Sequence, residues 1–315
     1  MFKEAFIPAN GITLHVIEHG EGPAVLLCHG FPETWRSWRR QIEALAEAGF
    51  RVIAPDMRGY GGSSTPESAA EYTQLHIVGD LIGLLDALNI AQATVMGHDW
   101  GAIAAWNAAL LRPDRFTRVA GLSVPYVARG EVNLLEQFRA GRDGFYMLQF
   151  QKPATDAALA LDVAGFLTGS YHSASADAKG DERWKPFIAA GATRESGPTT
   201  ALLIPNWLDP GDFTHAVESF ERTGFHGGLN WYRAMQLTFE LMAPFKDARI
   251  MQPALFIVGR EDPVLEFALP FVEMLPSVVP GLTGSLVIDG AGHWVGQEVP
   301  AAVNAALIKF LAQHS

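Results

Sequence analysis

The sequence contains very little cysteine and no long hydrophobic run, and each of these absences excludes a class of protein. The single cysteine, Cys28, rules out an internal disulfide and a cysteine-ligated zinc site, and it is typical of a reducing compartment. No apolar stretch approaches the roughly 20 residues of a membrane-spanning helix, and the first residues lack the apolar core of a secretory signal. We therefore expect a cytoplasmic protein without a membrane span.

Charged side chains are also scarce, and the acidic ones outnumber the basic ones. The 315 residues include 23 Lys and Arg against 34 Asp and Glu, which gives a formal net charge of −11 at pH 7. Phosphate backbones and anionic membranes repel such a chain, so nucleic acid is not an expected partner. The apolar fraction of 49% is high enough to bury a large core. Homo-oligomerisation is left open.

Short apolar runs alternate with helical patterns along most of the chain. The partly alternating segment 12–17 predicts an antiparallel strand, and nearly continuous apolar runs predict strands that are buried on both faces. These runs are 24–28, 51–54, 93–96, 119–123, 254–258 and 285–288. Apolar residues at helical spacing separate several of them. The alternation predicts an α/β fold with a mostly parallel central sheet and helices on both faces.

The segment 128–245 breaks this rhythm. It holds helix-like pieces, many aromatic residues and turn-rich stretches at 170–181, 191–199 and 209–211, without a convincing pair of strands. We interpret it as a helical cap domain inserted into an α/β core that comprises 1–127 and 246–315. Large insertions at the carboxyl edge of such a sheet usually cover the ligand site.

The strongest chemical signal is Gly97-His98-Asp99-Trp100-Gly101, where a predicted strand runs into a predicted helix. This is the form of a nucleophile elbow, which needs small flanking residues because its turn is sharp. The central residue is Asp, and Gly-x-Ser-x-Gly occurs nowhere in the chain. A carboxylate is already ionised at neutral pH and can attack a saturated carbon to form an ester. The alternative is that Asp99 only caps the following helix.

Two later loops supply an acid and a histidine in the chain order of α/β-hydrolase triads. Glu261 and Asp262 follow the run at 254–258, and His293 follows the last run. We predict that His293 takes a proton from water and that Asp262 orients its ring, with Glu261 as the rival acid.

An earlier loop, His29-Gly30-Phe31-Pro32-Glu33, also follows a buried run. We predict that the backbone N–H groups of Phe31 and Trp100 form an oxyanion hole. His29 is interpreted as a structural hydrogen-bonding residue, and the turn at 56–61 is given a structural role without chemistry.

Taken together, these motifs resemble those of the α/β-hydrolase-fold epoxide hydrolases, and the chain is similar to the C-terminal domain of mammalian soluble epoxide hydrolase. The resemblance includes Phe145-Tyr146 and Leu229-Asn230-Trp231-Tyr232-Arg233, and it is weakest at about 170–215. It implies that Tyr146 and Tyr232 hydrogen-bond the epoxide oxygen and that the peptide before Pro32 is cis. A neutral phenol can donate a hydrogen bond and then a proton to an oxygen whose C–O bond is breaking.

The resemblance implies that a small-molecule epoxide and water react to give a vicinal diol, without a metal or organic cofactor. The alternative is a haloalkane dehalogenase, which uses the same Asp nucleophile but needs N–H donors for the departing halide. Phe31 has no donor in its side chain. An alternative from a different class is a ligand-binding receptor with the same fold and no catalytic activity.

Overall fold

The computed structural model describes residues 2–139, 144–187 and 204–313, and within them the strands form one eight-stranded sheet. The strands are β1 (Lys3–Ala9), β2 (Ile12–His19), β3 (Ala24–Cys28), β4 (Arg51–Pro55), β5 (Ala93–His98), β6 (Phe116–Leu122), β7 (Ala254–Gly259) and β8 (Leu282–Ile288). Their order across the sheet is β1-β2-β4-β3-β5-β6-β7-β8. Strand β2 is antiparallel to β1 and β4, and every pair from β4 to β8 is parallel. The predicted mostly parallel sheet is confirmed.

Each face of the sheet packs against its own hydrophobic cluster. Along β3, Leu26 and Cys28 belong to one cluster and Val25 and Leu27 to the other, as the two-residue period of a strand requires. The helices of the first half are α1 (Arg39–Glu47), α2 (Gln74–Ala87) and α3 (Trp100–Leu111). Helix α1 packs on the face of Val25, and α2 and α3 pack on the opposite face. The predicted helices on both faces are therefore confirmed.

Between β6 and β7 the described residues form helices and only one isolated strand-like bridge, between Phe145 and Phe187. We call this segment the insertion. Its helices are α4 (Leu134–Arg139), α5 (Tyr146–Phe150), α6 (Ala154–Ala160), α7 (Val163–Ser173), α8 (Pro210–Thr223), α9 (His226–Arg233) and α10 (Met235–Leu241). The division of the chain into a core and a cap domain at residues 128 and 245 stays a prediction.

Two of the turn-rich stretches in the insertion contain helix instead. The stretch 209–211 begins α8, because the Asp209 side chain accepts the N–H groups of Gly211 and Asp212 while a proline occupies the first helical position. The stretch 170–181 begins inside α7. The stretch 191–199 lies outside the described residues.

The last part of the chain completes the sheet and adds α11 (Pro263–Val278), α12 (Val295–Glu298) and α13 (Pro300–Gln313). The prediction of burial on both faces is wrong for β8, which is an edge strand with Leu286 39% and Val287 43% exposed. An apolar run alone does not show whether a further strand lies beside it. None of the described helices is both long and apolar enough to cross a membrane.

Candidate active site

Asp99 lies in the tight turn between β5 and α3, with a φ of 53°. This left-handed conformation costs a non-glycine residue about 1–3 kcal/mol and is concentrated at functional sites. Neither flank has room for a side chain, because a Cβ on Gly97 would lie 1.9 Å from the Gly101 carbonyl oxygen, and one on Gly101 would lie 2.0 Å from that of Cys28. The Asp99 side chain makes no capping hydrogen bond to α3, a helix that is described in full. The helix-capping alternative therefore has no support.

Asp262 and His293 approach Asp99 from the ends of the last two strands. Asp262 immediately precedes α11, and His293 lies in the loop between β8 and α12. His293 Nδ1 is 3.1 Å from Asp262 Oδ2, and His293 Nε2 is 3.6 Å from Asp99 Oδ2. Asp262 and His293 are 1% and 5% exposed. The structure thus brings together the three side chains of the predicted triad.

The acid beside His293 is Asp262, and the rival residue Glu261 takes part in a different contact. The Glu261 carbonyl accepts a hydrogen bond of 2.8 Å from Arg183 Nη2 in the insertion. Asp262 Oδ1 also accepts the N–H of Val264 at 2.8 Å, so the carboxylate is tied to the start of α11. A side chain held in this way can orient the imidazole ring.

The charges of neighbouring side chains shift the pKa values of Asp99 and His293 in opposite directions. Burial alone would raise the pKa of Asp99, but hydrogen bonding and charge from His293, together with His98 and the Phe31 N–H, hold it below its usual range. Burial alone would lower the pKa of His293, but the carboxylates of Asp262 and Asp99 raise it well above its usual value. Asp99 is therefore ionised at neutral pH.

The predicted oxyanion loop reaches Asp99 directly. The Phe31 N–H donates to Asp99 Oδ1 at 2.9 Å, and the peptide before Pro32 is cis, as the resemblance implies. Only glycine fits beside this contact, since a Cβ on Gly30 would lie 2.5 Å from Asp99 Cβ. Trp100 is the first residue of α3, where N–H groups have no acceptor within the helix.

The two predicted tyrosines lie next to each other in the insertion. Tyr146 begins α5 and Tyr232 lies in α9, and their ring centroids are 6.1 Å apart. The Tyr232 ring also contacts those of Phe31 at 5.7 Å and Trp100 at 4.9 Å, the residues whose N–H groups are predicted to face Asp99. Burial, followed by the charges of its neighbours, raises the pKa of Tyr232 well above its usual value. Tyr232 is therefore a neutral phenol that can donate a hydrogen bond.

Similarity to known proteins extends over nearly the whole chain. The profile of the α/β hydrolase fold family matches residues 23–298. An epoxide hydrolase of Caballeronia sordidicola is 50% identical over 311 residues, which cover 98% of this chain and 93% of that protein. This chain belongs to the epoxide hydrolases of the α/β-hydrolase fold.

Other members of the family agree with this assignment. The solved structure of an epoxide hydrolase from an endophytic Streptomyces has a TM-score of 0.94 and 40% identity, and the match covers 99% of this chain and 95% of that one. The bifunctional epoxide hydrolase 2 of Mus musculus is 36% identical, with 96% of this chain matching 54% of that protein. The predicted similarity to a mammalian epoxide hydrolase is confirmed.

The sequence analysis missed a buried pair of titratable groups directly behind Asp99. His98 Nδ1 is 2.8 Å from Glu33 Oε2, and His98 Nε2 donates to the His293 carbonyl at 2.8 Å. Ser123 Oγ donates to the same carbonyl at 2.7 Å. Burial alone would lower the pKa of His98, but the Glu33 carboxylate raises it. Glu33 and His98 lie inside the two motifs, yet nothing in the motifs shows that they meet.

The contacts of His29 agree with the structural role that the sequence analysis gave this residue. His29 Nδ1 donates to the Gly30 carbonyl at 2.9 Å, and His29 Nε2 accepts the Met57 N–H at 2.9 Å. Burial lowers the pKa of His29. With both ring nitrogens engaged in this way, the imidazole is neutral and fixes the loop beside the site.

The turn at 56–61 supports the helix that carries Tyr232. The Trp231 Nε1–H donates to the Arg58 carbonyl at 3.0 Å. A Cβ on Gly227 would lie 2.2 Å from the Gly59 carbonyl oxygen, so the turn and α9 pack backbone against backbone. The structural role predicted for this turn therefore includes the placement of part of the insertion.

Proposed function

We propose that this chain hydrolyses epoxides to vicinal diols through a covalent ester on Asp99. The observation that carries the proposal is that the two carboxylate oxygens of Asp99 have different partners. Oδ1 accepts the Phe31 N–H, and Oδ2 lies 3.6 Å from His293 Nε2. An ionised carboxylate with one oxygen bound and the other turned towards a base suits nucleophilic attack followed by hydrolysis.

In the first step, Asp99 Oδ2 attacks a ring carbon of the epoxide. The bond from that carbon to the ring oxygen breaks, and the new C–O bond makes an alkyl ester. Tyr146 and Tyr232 hydrogen-bond the ring oxygen, and one phenol gives its proton to the developing alkoxide. The adjacent, buried position of both rings supports this role.

In the second step, His293 takes a proton from water, and the resulting hydroxide attacks the ester carbonyl carbon. Oδ1 then carries the negative charge, and the N–H groups of Phe31 and Trp100 stabilise it, each at about 3–4 kcal/mol. The tetrahedral intermediate collapses, the diol leaves with the proton from His293, and Asp99 is regenerated. The proton of its new carboxyl group returns to the phenolate, so one water is added in total.

Formation of the ester also prepares His293 for this second step. In the free protein, the carboxylates of Asp262 and Asp99 both raise the pKa of His293. Esterification removes the charge of Asp99, so the pKa of His293 falls, its proton passes to the solvent and its neutral form is favoured. His293 takes a proton up from the solvent again when the Asp99 carboxylate is regenerated. A neutral imidazole is the form that can accept a proton from water.

Transfer of oxygen from Asp99 to the product is the direct test. In a single turnover in water enriched in oxygen-18, the first diol should carry unlabelled oxygen and the Asp99 peptide should gain the label. Solvent label in that first diol would instead indicate direct attack by water. The carrier of the label can be read by mass spectrometry of the product and of the digested protein.

The dehalogenase alternative is not favoured, because Phe31 offers no side-chain N–H to a departing halide and the ring of Tyr232 lies against those of Phe31 and Tyr146. Parallel assays of halide release and diol formation compare the two reactions on one preparation. A panel of styrene oxide, a long-chain aliphatic epoxide and a trans-disubstituted epoxide would define the preferred substrate. The cytoplasmic location and the oligomeric state stay predictions.

A further inference from the structure

The loop that carries His293 is held by a carboxylate that the mechanism above does not use. Glu298 is the last residue of α12. Its Oε1 accepts the Trp294 N–H at 3.0 Å, and its Oε2 accepts the Gly292 N–H at 2.9 Å. The residues immediately before and after His293 therefore donate their N–H groups to a single side chain.

The same carboxylate connects this loop to the insertion. Glu298 Oε2 also accepts the Ala176 N–H at 2.8 Å, and the His293 N–H donates to the Ala174 carbonyl at 2.8 Å. A Cβ on Gly292 would lie 2.5 Å from the Ala174 carbonyl oxygen, so the two segments are in direct backbone contact. The loop of the base is thus completed by a part of the chain more than a hundred residues earlier.

The chemistry of the contact requires a carboxylate. Three N–H donors converge on two oxygens, and an ionised Glu is an acceptor at both of them. A glutamine at position 298 would present its own NH₂ group to at least one of these donors. An aspartate would keep the charge, but its shorter side chain would reach fewer of them.

We propose that Glu298 is a positioning residue for ester hydrolysis, which fixes the His293 loop against segment 174–176 and keeps Nε2 within reach of the attacking water. The inference rests on the proposed function and deepens it. Attack on the epoxide uses Asp99 and the phenols, whereas Glu298 accepts its three hydrogen bonds from the backbone at Gly292, Trp294 and Ala176. Loss of Glu298 should therefore impair the second step and leave the first intact.

The test compares Glu298→Gln with the wild type and with Glu273→Gln, which makes the same change at an exposed position of α11. Single turnovers of an epoxide from the panel are quenched in acid and followed by mass spectrometry. For Glu298→Gln we expect alkylation within twofold of the wild type and ester hydrolysis slower by about 10- to 100-fold, as for a misplaced catalytic group. The adduct should then dominate the steady state, and kcat and KM should fall together. Glu273→Gln should match the wild type.

Glu298→Asp provides a second variant, and its hydrolysis rate should lie between those of the wild type and Glu298→Gln. Formation of the adduct itself reports a folded site, so it separates a positioning defect from misfolding. The inference is overturned if Glu298→Gln changes neither step, or if both steps slow by the same factor. If the wild type forms neither adduct nor diol from any epoxide, the proposed function fails first, and the inference fails with it.

Discussion

Asp99, Asp262 and His293 belong to the sheet and its loops, whereas Tyr146 and Tyr232 belong to the insertion. The residues of the first group follow strands β5, β7 and β8. His293 and Asp262 are hydrogen-bonded to each other, and backbone N–H groups donate to the carboxylates of Asp99 and Asp262. The tyrosines lie on short helices and pack against aromatic rings. Both groups are largely buried, but their neighbours differ in kind.

Because of this difference, the pKa values of Asp99 and Tyr232 shift in opposite directions. For Asp99, the cost of burial is outweighed by His293, His98 and the Phe31 N–H, so its pKa falls and the carboxylate stays ionised. For Tyr232, burial dominates and the pKa rises, so the neutral donor persists. Paired charges thus keep the Asp99 carboxylate ionised in the core, and burial keeps the Tyr232 phenol neutral in the insertion.

The largest effect is expected from Asp99→Ala, which removes the charged group that forms the ester. Diol formation should fall by at least about 10⁴-fold, and no adduct should form. Diol production measured by chromatography, with adduct detection by mass spectrometry, checks both results. Asp247→Ala, at an exposed position, is the control. If Asp99→Ala kept its activity, Asp99 would not be the nucleophile, and the comparison between the core and the insertion would fail.

A smaller effect, confined to the second step, is expected from His293→Gln. Ester hydrolysis should slow by about 10²- to 10⁴-fold, because the water loses its base, while alkylation continues. The protein should therefore accumulate one covalent equivalent of substrate on the peptide that contains Asp99. Slow turnover without this adduct would contradict the two-step scheme.

The tyrosine variants probe the insertion and should slow the first step of the reaction instead of the second. Tyr232→Phe and Tyr146→Phe should each slow alkylation by about 10²-fold, because the leaving oxygen loses one donor. Hydrolysis of the ester should be unaffected, so no adduct should build up. Rapid-quench measurement of both steps decides this, and a defect in hydrolysis would show that the two regions do not divide the reaction as proposed.

The smallest effect concerns the pH at which His293 titrates. Because Asp99 contributes to the raised pKa of His293, the ester form should titrate at a lower pH than the free protein. The hydrolysis rate should rise with pH as His293 loses its proton, and its midpoint should lie below the midpoint found for His293 by NMR in the free protein. Equal midpoints would indicate that the charge of Asp99 has no influence on the base.

The buried strands and the tight turn that carries Asp99 were predictable because their causes are local. A run such as 93–96 is apolar without interruption, and the glycines around Asp99 are required by a turn within five residues. The edge strand β1 was not predicted, since most of its residues are exposed and it includes Pro8, which an edge strand tolerates.

The sequence alone determined the α/β fold, the candidate nucleophile Asp99 and the chain order of the candidate acid and histidine, because residue type and spacing within single strand–loop–helix units carry that information. Only the tertiary structure decided that Asp262 rather than Glu261 pairs with His293, that Glu33 meets His98, and that Glu298 joins the insertion to the loop that carries His293. The physical reason is that these are directional hydrogen bonds between segments far apart in the chain. Their partners become neighbours only after the sheet has brought the strand ends together.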